Sequence, residues 1–107
     1  MKRGEVWWID FEPSVGGETQ KQRPSVIVSN DASNKHLNRV QVVPITSNVE
    51  KSYPSEAYVT LNGDERKAVA DQLTTVSKTR CKNTIGRLSS ADMKKVEQAI
   101  RLQLDMN

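Results

Sequence analysis

Two side chains in this sequence have the chemistry to act on a phosphate. Arg23 closes the polar run VGGETQKQRP, directly before Pro24 and the apolar stretch SVIVSN, and Thr46 closes the run VVPIT. A guanidinium binds phosphate oxygens through a planar fork and stays charged at any working pH. A hydroxyl adds a neutral hydrogen bond to the same centre. Strand ends would hold both groups on a rigid base. Beside each RNA phosphate the 2′-hydroxyl already supplies a nucleophile. A protein then needs only to align that hydroxyl, neutralise the pentacoordinate phosphorane and help the 5′-oxygen leave. An arginine before a proline and a threonine at a strand end are also common structural features, and the residues alone leave that reading open.

Other chemistries lack their residues. No Gly-rich phosphate loop of the Walker type occurs, and no cluster of Asp, Glu and His suggests a metal. Cys81 is the single cysteine, so no intrachain disulfide can form. With His36 as the single histidine, a four-ligand zinc site has too few donors. No metal and no cofactor are expected. His36 lies between Lys35 and Leu37 and reads as a surface residue. Cys81 lies between Arg80 and Lys82, which would favour its thiolate, yet no base is in prospect and it reads as an incidental thiol.

The connection that ends on Arg23 is longer than two strands need. Gly16 and Gly17 permit unusual backbone angles. Glu18, Thr19, Gln20 and Gln22 can reach base edges, and Lys21 can attract phosphates. A plain surface loop is the alternative.

The elements around these residues follow from pattern. The chain has 107 residues and a formal charge of +3, which fits one domain with a mildly basic surface that permits a polyanionic partner. No apolar run has the length of a membrane span or of a secretory h-region, so a cytoplasmic protein without membrane contact is expected. Strands are predicted over residues 4–11, 24–30, 40–46, 57–61, 67–75 and 84–88. The continuous Val26, Ile27, Val28 run suits a strand covered on both faces. Pro44 points to an edge or a bulge in the third strand. Asn62-Gly63 is a strong turn signal. Residues 31–38 form a short helix with Asp31 as its cap. Ser89 caps a longer one, with Asp92 in a capping-box-like position and Met93, Val96, Ile100 and Leu104 as its apolar stripe. The expected fold is mainly β with helices: a small, strongly bent sheet or barrel with a terminal helix packed against it.

The stretches GEVWWIDFEPSVGGETQKQRPSVIVSN, VVPITSN, AVADQL and TIGRLSSADMKKVEQAIRLQL together resemble, in order, the MazF/PemK-type endoribonuclease toxins. The resemblance covers essentially the whole chain, residues 1–107, as one toxin domain. It implies an SH3-like or CcdB-like small barrel that acts as a homodimer. It implies sequence-preferring, metal-independent cleavage of single-stranded RNA, including mRNA, leaving a 2′,3′-cyclic phosphate and a 5′-hydroxyl. An acidic antitoxin protein would silence it. By position, the family's catalytic arginine falls on Arg23 and its catalytic threonine on Thr46. The resemblance also implies RNA contacts by Gly17, Glu18, Thr19, Gln20, Lys21, Gln22, Ser47, Asn48, Asp71 and Gln72. Gly17 replaces a frequent serine, Gln22 replaces a histidine or glycine, and Val69 stands where the Kid-type branch has a second arginine. A CcdB-like gyrase poison shares the fold, but its action depends on a terminal Trp-Gly-Ile, and this sequence closes on Asp105-Met106-Asn107. A non-catalytic SH3-like nucleic-acid-binding module would need neither Arg23 nor Thr46 for scission.

Overall fold

The β-formers between Gly4 and Phe11 build strand β1 (Glu5–Asp10), and the chain continues as β2 (Gln22–Ile27), α1 (Asp31–His36), β3 (Arg39–Thr46), β4 (Glu56–Leu61), β5 (Asp64–Val69), β6 (Thr74–Ser77), β7 (Cys81–Arg87) and α2 (Ser90–Gln103). The computed structural model describes residues 1–12, 16 and 21–106. The strands form one antiparallel sheet in the order β4-β5-β3-β2-β1-β7, with β6 also pairing β3. It curls into a half-barrel, with α2 the main helix. Irregular register between β1 and β7, at Val6/Trp7 and Trp8/Ile9, adds local twist to one end.

Both faces of the sheet's middle are covered, as the Val26–Ile27 run predicts. Val6, Val26, Val43 and Ile45 pack on one face with Val59, Ala68 and the α2 residues Met93, Val96 and Ala99. Ile9, Ile27, Val40, Val42 and Val76 pack on the other, flanked by Trp7, Phe11 and Cys81. Alternate residues of β1, β2 and β3 therefore feed two cores.

Several expectations are corrected. Pro44 is on neither an edge nor a bulge of a border strand: β3 is central, pairing β2 on one side and both β5 and β6 on the other. The predicted strand over 67–75 is two strands, β5 and β6, separated by a 3-10 turn at Ala70–Gln72. The break falls opposite Pro44, which has no N–H for a ladder: β5 pairs Ile45 and Thr46, and β6 pairs Arg39 to Val42. Asn30, not Asp31, caps α1, its side chain accepting from the Ser33 N–H at 2.8 Å.

The β4–β5 turn is as predicted, with Asn62 at φ 52° and Gly63 at φ 86°, both in the left-handed region. Ser89 caps α2 by accepting from the Asp92 N–H at 3.1 Å. The expected box is only half made, because the Asp92 carboxylate turns to β4 and accepts from the Thr60 N–H at 2.8 Å. Of the predicted α2 stripe, Met93 and Val96 are buried, but Leu104 lies beyond the core and is exposed.

Candidate functional site

One sheet face carries the candidate residues, and the strand registers explain why. Side chains alternate along a strand and match across paired positions. Arg23 lies two residues from Ser25, which pairs with Pro44; Pro44 lies two residues from Thr46. Thr46 pairs with Lys67, and Val69, two residues on, pairs with Glu56. Arg23, Thr46, Lys67, Val69 and Glu56 thus share one face, away from α2. They line one side of a cleft of about 540 Å³.

Arg23 is exposed at the start of β2, and among the described residues its guanidinium has no ion pair and no hydrogen bond. Thr46 ends β3 partly buried. Its Oγ1 accepts from the Asn48 N–H at 3.2 Å, which leaves the O–H free to donate into the cleft. Val69 also lines the cleft, so the position of the second arginine in the Kid-type branch faces the same space but offers an apolar surface.

Lys67 and Glu56 form the floor. Lys67 Nζ lies 2.8 Å from Glu56 Oε1, with the two side chains 6% and 12% exposed. Lys67 Nζ also donates to the Lys51 carbonyl, and Glu56 Oε1 accepts from the Tyr53 N–H at 3.0 Å. Burial alone would push the Glu56 carboxyl up. The Lys67 and Tyr53 hydrogen bonds, with the Lys67 charge, outweigh it and hold the group below its ordinary value. Because each ion neutralises the other, the charges left to meet a ligand among the described residues are Arg23 and Lys51 against Glu50.

The connection from β3 to β4 has no regular structure yet is tied along its length. Tyr58 Oη donates to the Val49 carbonyl at 2.9 Å, Glu56 N–H to the Tyr53 carbonyl at 2.9 Å, and Ala70 N–H to the Ser55 carbonyl at 3.0 Å. It forms a fixed wall that places Asn48, Lys51 and Tyr53 on the cleft. Sequence reading missed this wall and the Lys67–Glu56 pair. The ion pair joins residues diagonal to each other on neighbouring strands, so only the register could have found it.

The structure divides the other predicted residues. Asn48 and Gln72 line the cleft with Arg23 and Thr46. Ser47 and Asp71 are exposed nearby but do not line it. Lys21 and Gln22 line a separate groove with Asp10 and Glu12, because Gln22 points to the sheet face opposite Arg23. There the Gln22 side chain accepts from Trp8 Nε1. Gly17, Glu18, Thr19 and Gln20 lie outside the described residues. Where the loop joins the sheet, Phe11 N–H donates to the Lys21 carbonyl at 2.7 Å, and Arg80 Nη1 donates to the Asp10 and Glu12 carbonyls.

His36 is exposed on α1. Cys81 is half-buried, and burial pushes its thiol up despite Lys78 and Lys82, opposite to the direction its flanking cations suggest. Among the described residues no group of three or more His, Cys, Asp or Glu side chains is placed to hold a metal ion. Nor is any of their helices long and apolar enough to cross a membrane.

The fold and cleft define a class: a small curled-sheet protein with a polar cleft at its strand ends, lined by Arg23, Thr46 and Lys51. Residues 2–104 match the family described as PemK-like, MazF-like toxin of type II toxin-antitoxin system, and the chain belongs to that family. It is 36% identical over 115 residues to endoribonuclease MazF9 of Mycobacterium tuberculosis, covering 99% of this chain and 98% of the relative. It is 31% identical over 109 residues to endoribonuclease EndoA of Bacillus subtilis, covering 97% and 94%. A crystal structure of MazF from Deinococcus radiodurans superposes with a TM-score of 0.87 at 23% identity, covering 99% of this chain and 97% of that one. An endoribonuclease from a mycobacterial species, solved in complex with its cognate antitoxin, gives 0.84 at 24% identity, covering 100% and 97%. These two likenesses concern the fold.

Proposed function

We propose that this chain, as one domain acting in the cytoplasm as a homodimer, is a metal-independent endoribonuclease toxin that cuts single-stranded RNA, including mRNA, at a short preferred sequence. Its cleavage stops translation until an antitoxin binds. The observation that carries this reading is the shared sheet face of Arg23 and Thr46, opening on one cleft. In the reaction, the 2′-oxygen bonds to phosphorus and loses its proton while the bond to the 5′-oxygen breaks and that oxygen gains one. The products are a 2′,3′-cyclic phosphate and a 5′-hydroxyl. Arg23 neutralises the phosphorane's charge through its fork, and the Thr46 O–H donates to a phosphoryl oxygen. Asn48 and Gln72 supply amides for base edges. The family match and the endoribonuclease names of its relatives support the substrate class.

The test uses an RNA pool whose new 5′-hydroxyl ends are sequenced to find the cut. Cleavage of an oligonucleotide with that site is expected to persist in excess EDTA. It is expected to stop when the single ribose on the 5′ side of the scissile phosphate is 2′-deoxy. Efficient cutting of the deoxy-substituted strand would mean attack by water and would overturn the mechanism.

A further inference from the structure

The cleft wall presents one aromatic ring that the proposed chemistry does not use. Tyr53 is 59% exposed and lines the same cleft as Arg23 and Thr46. Large side chains exposed singly are ordinary on a protein surface. Three observations set this one apart. It is the single aromatic among the exposed large hydrophobic side chains of the described residues. The polar atoms of its peers are engaged: Trp7 Nε1 on Glu5 at 3.0 Å, Trp8 Nε1 on Gln22, and Tyr58 Oη on the Val49 carbonyl at 2.9 Å. The Tyr53 hydroxyl has no such partner among the described residues. Lastly, its backbone is held at both ends by a single residue. Glu56 accepts from the Tyr53 N–H through its carboxylate and donates its own N–H to the Tyr53 carbonyl.

That holding residue is itself fixed. Glu56 is locked by Lys67, whose ammonium reaches back to the Lys51 carbonyl in the same wall. Removing one partner of a buried ion pair would leave the other charge uncompensated, so the pair resists disruption. The ring therefore sits on a backbone position held by the cleft floor, although no helix or strand contains it. An exposed ring on a preorganised support is what an unpaired base needs, because stacking on a face that is already in place loses little entropy.

We propose that Tyr53 is a stacking platform for one unpaired base adjacent to the scissile phosphate. This rests on the endoribonuclease reading and names a base contact of that same cleft. The ring face carries the interaction, so the hydroxyl is dispensable and aliphatic bulk is no substitute. The ring holds substrate and does not meet the reacting atoms, so it acts on binding and not on the chemical step.

The test uses the intact protein and a single-stranded RNA carrying the mapped site, made uncleavable by one 2′-deoxyribose. 2-Aminopurine is placed in turn at each position flanking the cut. Its fluorescence is expected to be quenched on binding at one of those positions by the wild type and by Tyr53→Phe. Tyr53→Leu and Tyr53→Ala are expected to lose that quenching and to weaken binding about tenfold, within the range measured for a lost base stack. On cleavable RNA, KM should rise by a similar factor with kcat nearly unchanged. The side chain is exposed, so thermal stability of all three variants should match the wild type. Tyr53→Leu binding and quenching like the wild type would overturn the proposal, as would a fall in kcat alone. A wild-type protein that neither cuts nor binds RNA would remove the endoribonuclease reading and this inference together. A wild type that cuts while all variants behave alike would remove only the inference.

Discussion

Arg23 suits the proposed role because no described residue occupies its guanidinium. An arginine packed against the fold has its fork taken by carboxylates or carbonyls, as the half-buried Arg3 does with Glu97 at 3.0 Å and the Val28 carbonyl at 3.0 Å. Arg23 stands exposed at the first turn into β2, with its backbone fixed by pairing to Ile9 and its side chain unengaged among the described residues. Replacing it with lysine keeps the charge but loses the planar fork. Cleavage by Arg23→Lys is expected to fall on the order of a hundredfold, the scale of losing one donor that stabilises transition-state charge. The melting temperature should barely move, since no fold contact is removed. Initial rates on the mapped RNA site check this; near-wild-type rates for both Arg23→Lys and Arg23→Ala would end the assignment. Arg23 and Thr46 were legible in the sequence because Arg23 closes a polar run just before an apolar one and Thr46 closes an apolar run. Lys67 was not: its partner Glu56 is eleven residues away across a turn, and a lysine in a strand reads as a surface residue until register buries it.

The elements hold this face in place from behind. β4 lies at the edge of the sheet order, where a strand has unpaired backbone groups. Asp92 covers part of that edge by accepting from the Thr60 N–H, while its own N–H caps on Ser89. One residue thus joins the helix start to the strand that carries Glu56. Asp92 is 8% exposed, so losing its carboxylate would remove a part-buried, charge-assisted hydrogen bond between α2 and β4. Asp92→Ala is expected to destabilise the protein by about 2 kcal/mol, within the range for losing a hydrogen bond to a charged group. Chemical denaturation checks it, and a cost below about 0.5 kcal/mol, ordinary for a surface substitution, would show that the tie contributes little. The same elements show where pattern reading stops. Strand positions, the Asn62-Gly63 turn and the Ser89 cap are local signals, and each was readable from a few neighbouring residues. The division of residues 67–75 into β5 and β6 was not, because its cause is Pro44 on another strand. The half-made capping box was not, because the competing donor, Thr60, lies far along the chain.

At the scale of the whole molecule, the features that suit the cleft to RNA also suit a protein competitor. The formal charge is +3, and Arg23 and Lys51, against the single carboxylate of Glu50 among the described residues, line a groove whose floor charges cancel. An acidic chain that is disordered when free could lay carboxylates against those cations and an apolar side chain against Val69 or the Tyr53 ring, ordering as it binds. Opposite charge would speed its encounter, and that gain should shrink with salt. A fold neighbour of this chain was solved in complex with its cognate antitoxin. If the proposed function holds, an acidic antitoxin and RNA are expected to exclude each other on this chain, because each would be drawn to Arg23 and the cleft wall. Titrating the purified antitoxin against a labelled, 2′-deoxy-blocked RNA already bound to the protein measures this directly. RNA release should be complete at saturating antitoxin, and the association rate should drop several-fold between low and physiological salt. Charge alone would give partial displacement that high salt abolishes, whereas a shared site gives full displacement at either salt. A stable ternary complex, with RNA still in the cleft and cleavage still blocked, would mean that the antitoxin acts from another surface and that the cleft serves RNA alone.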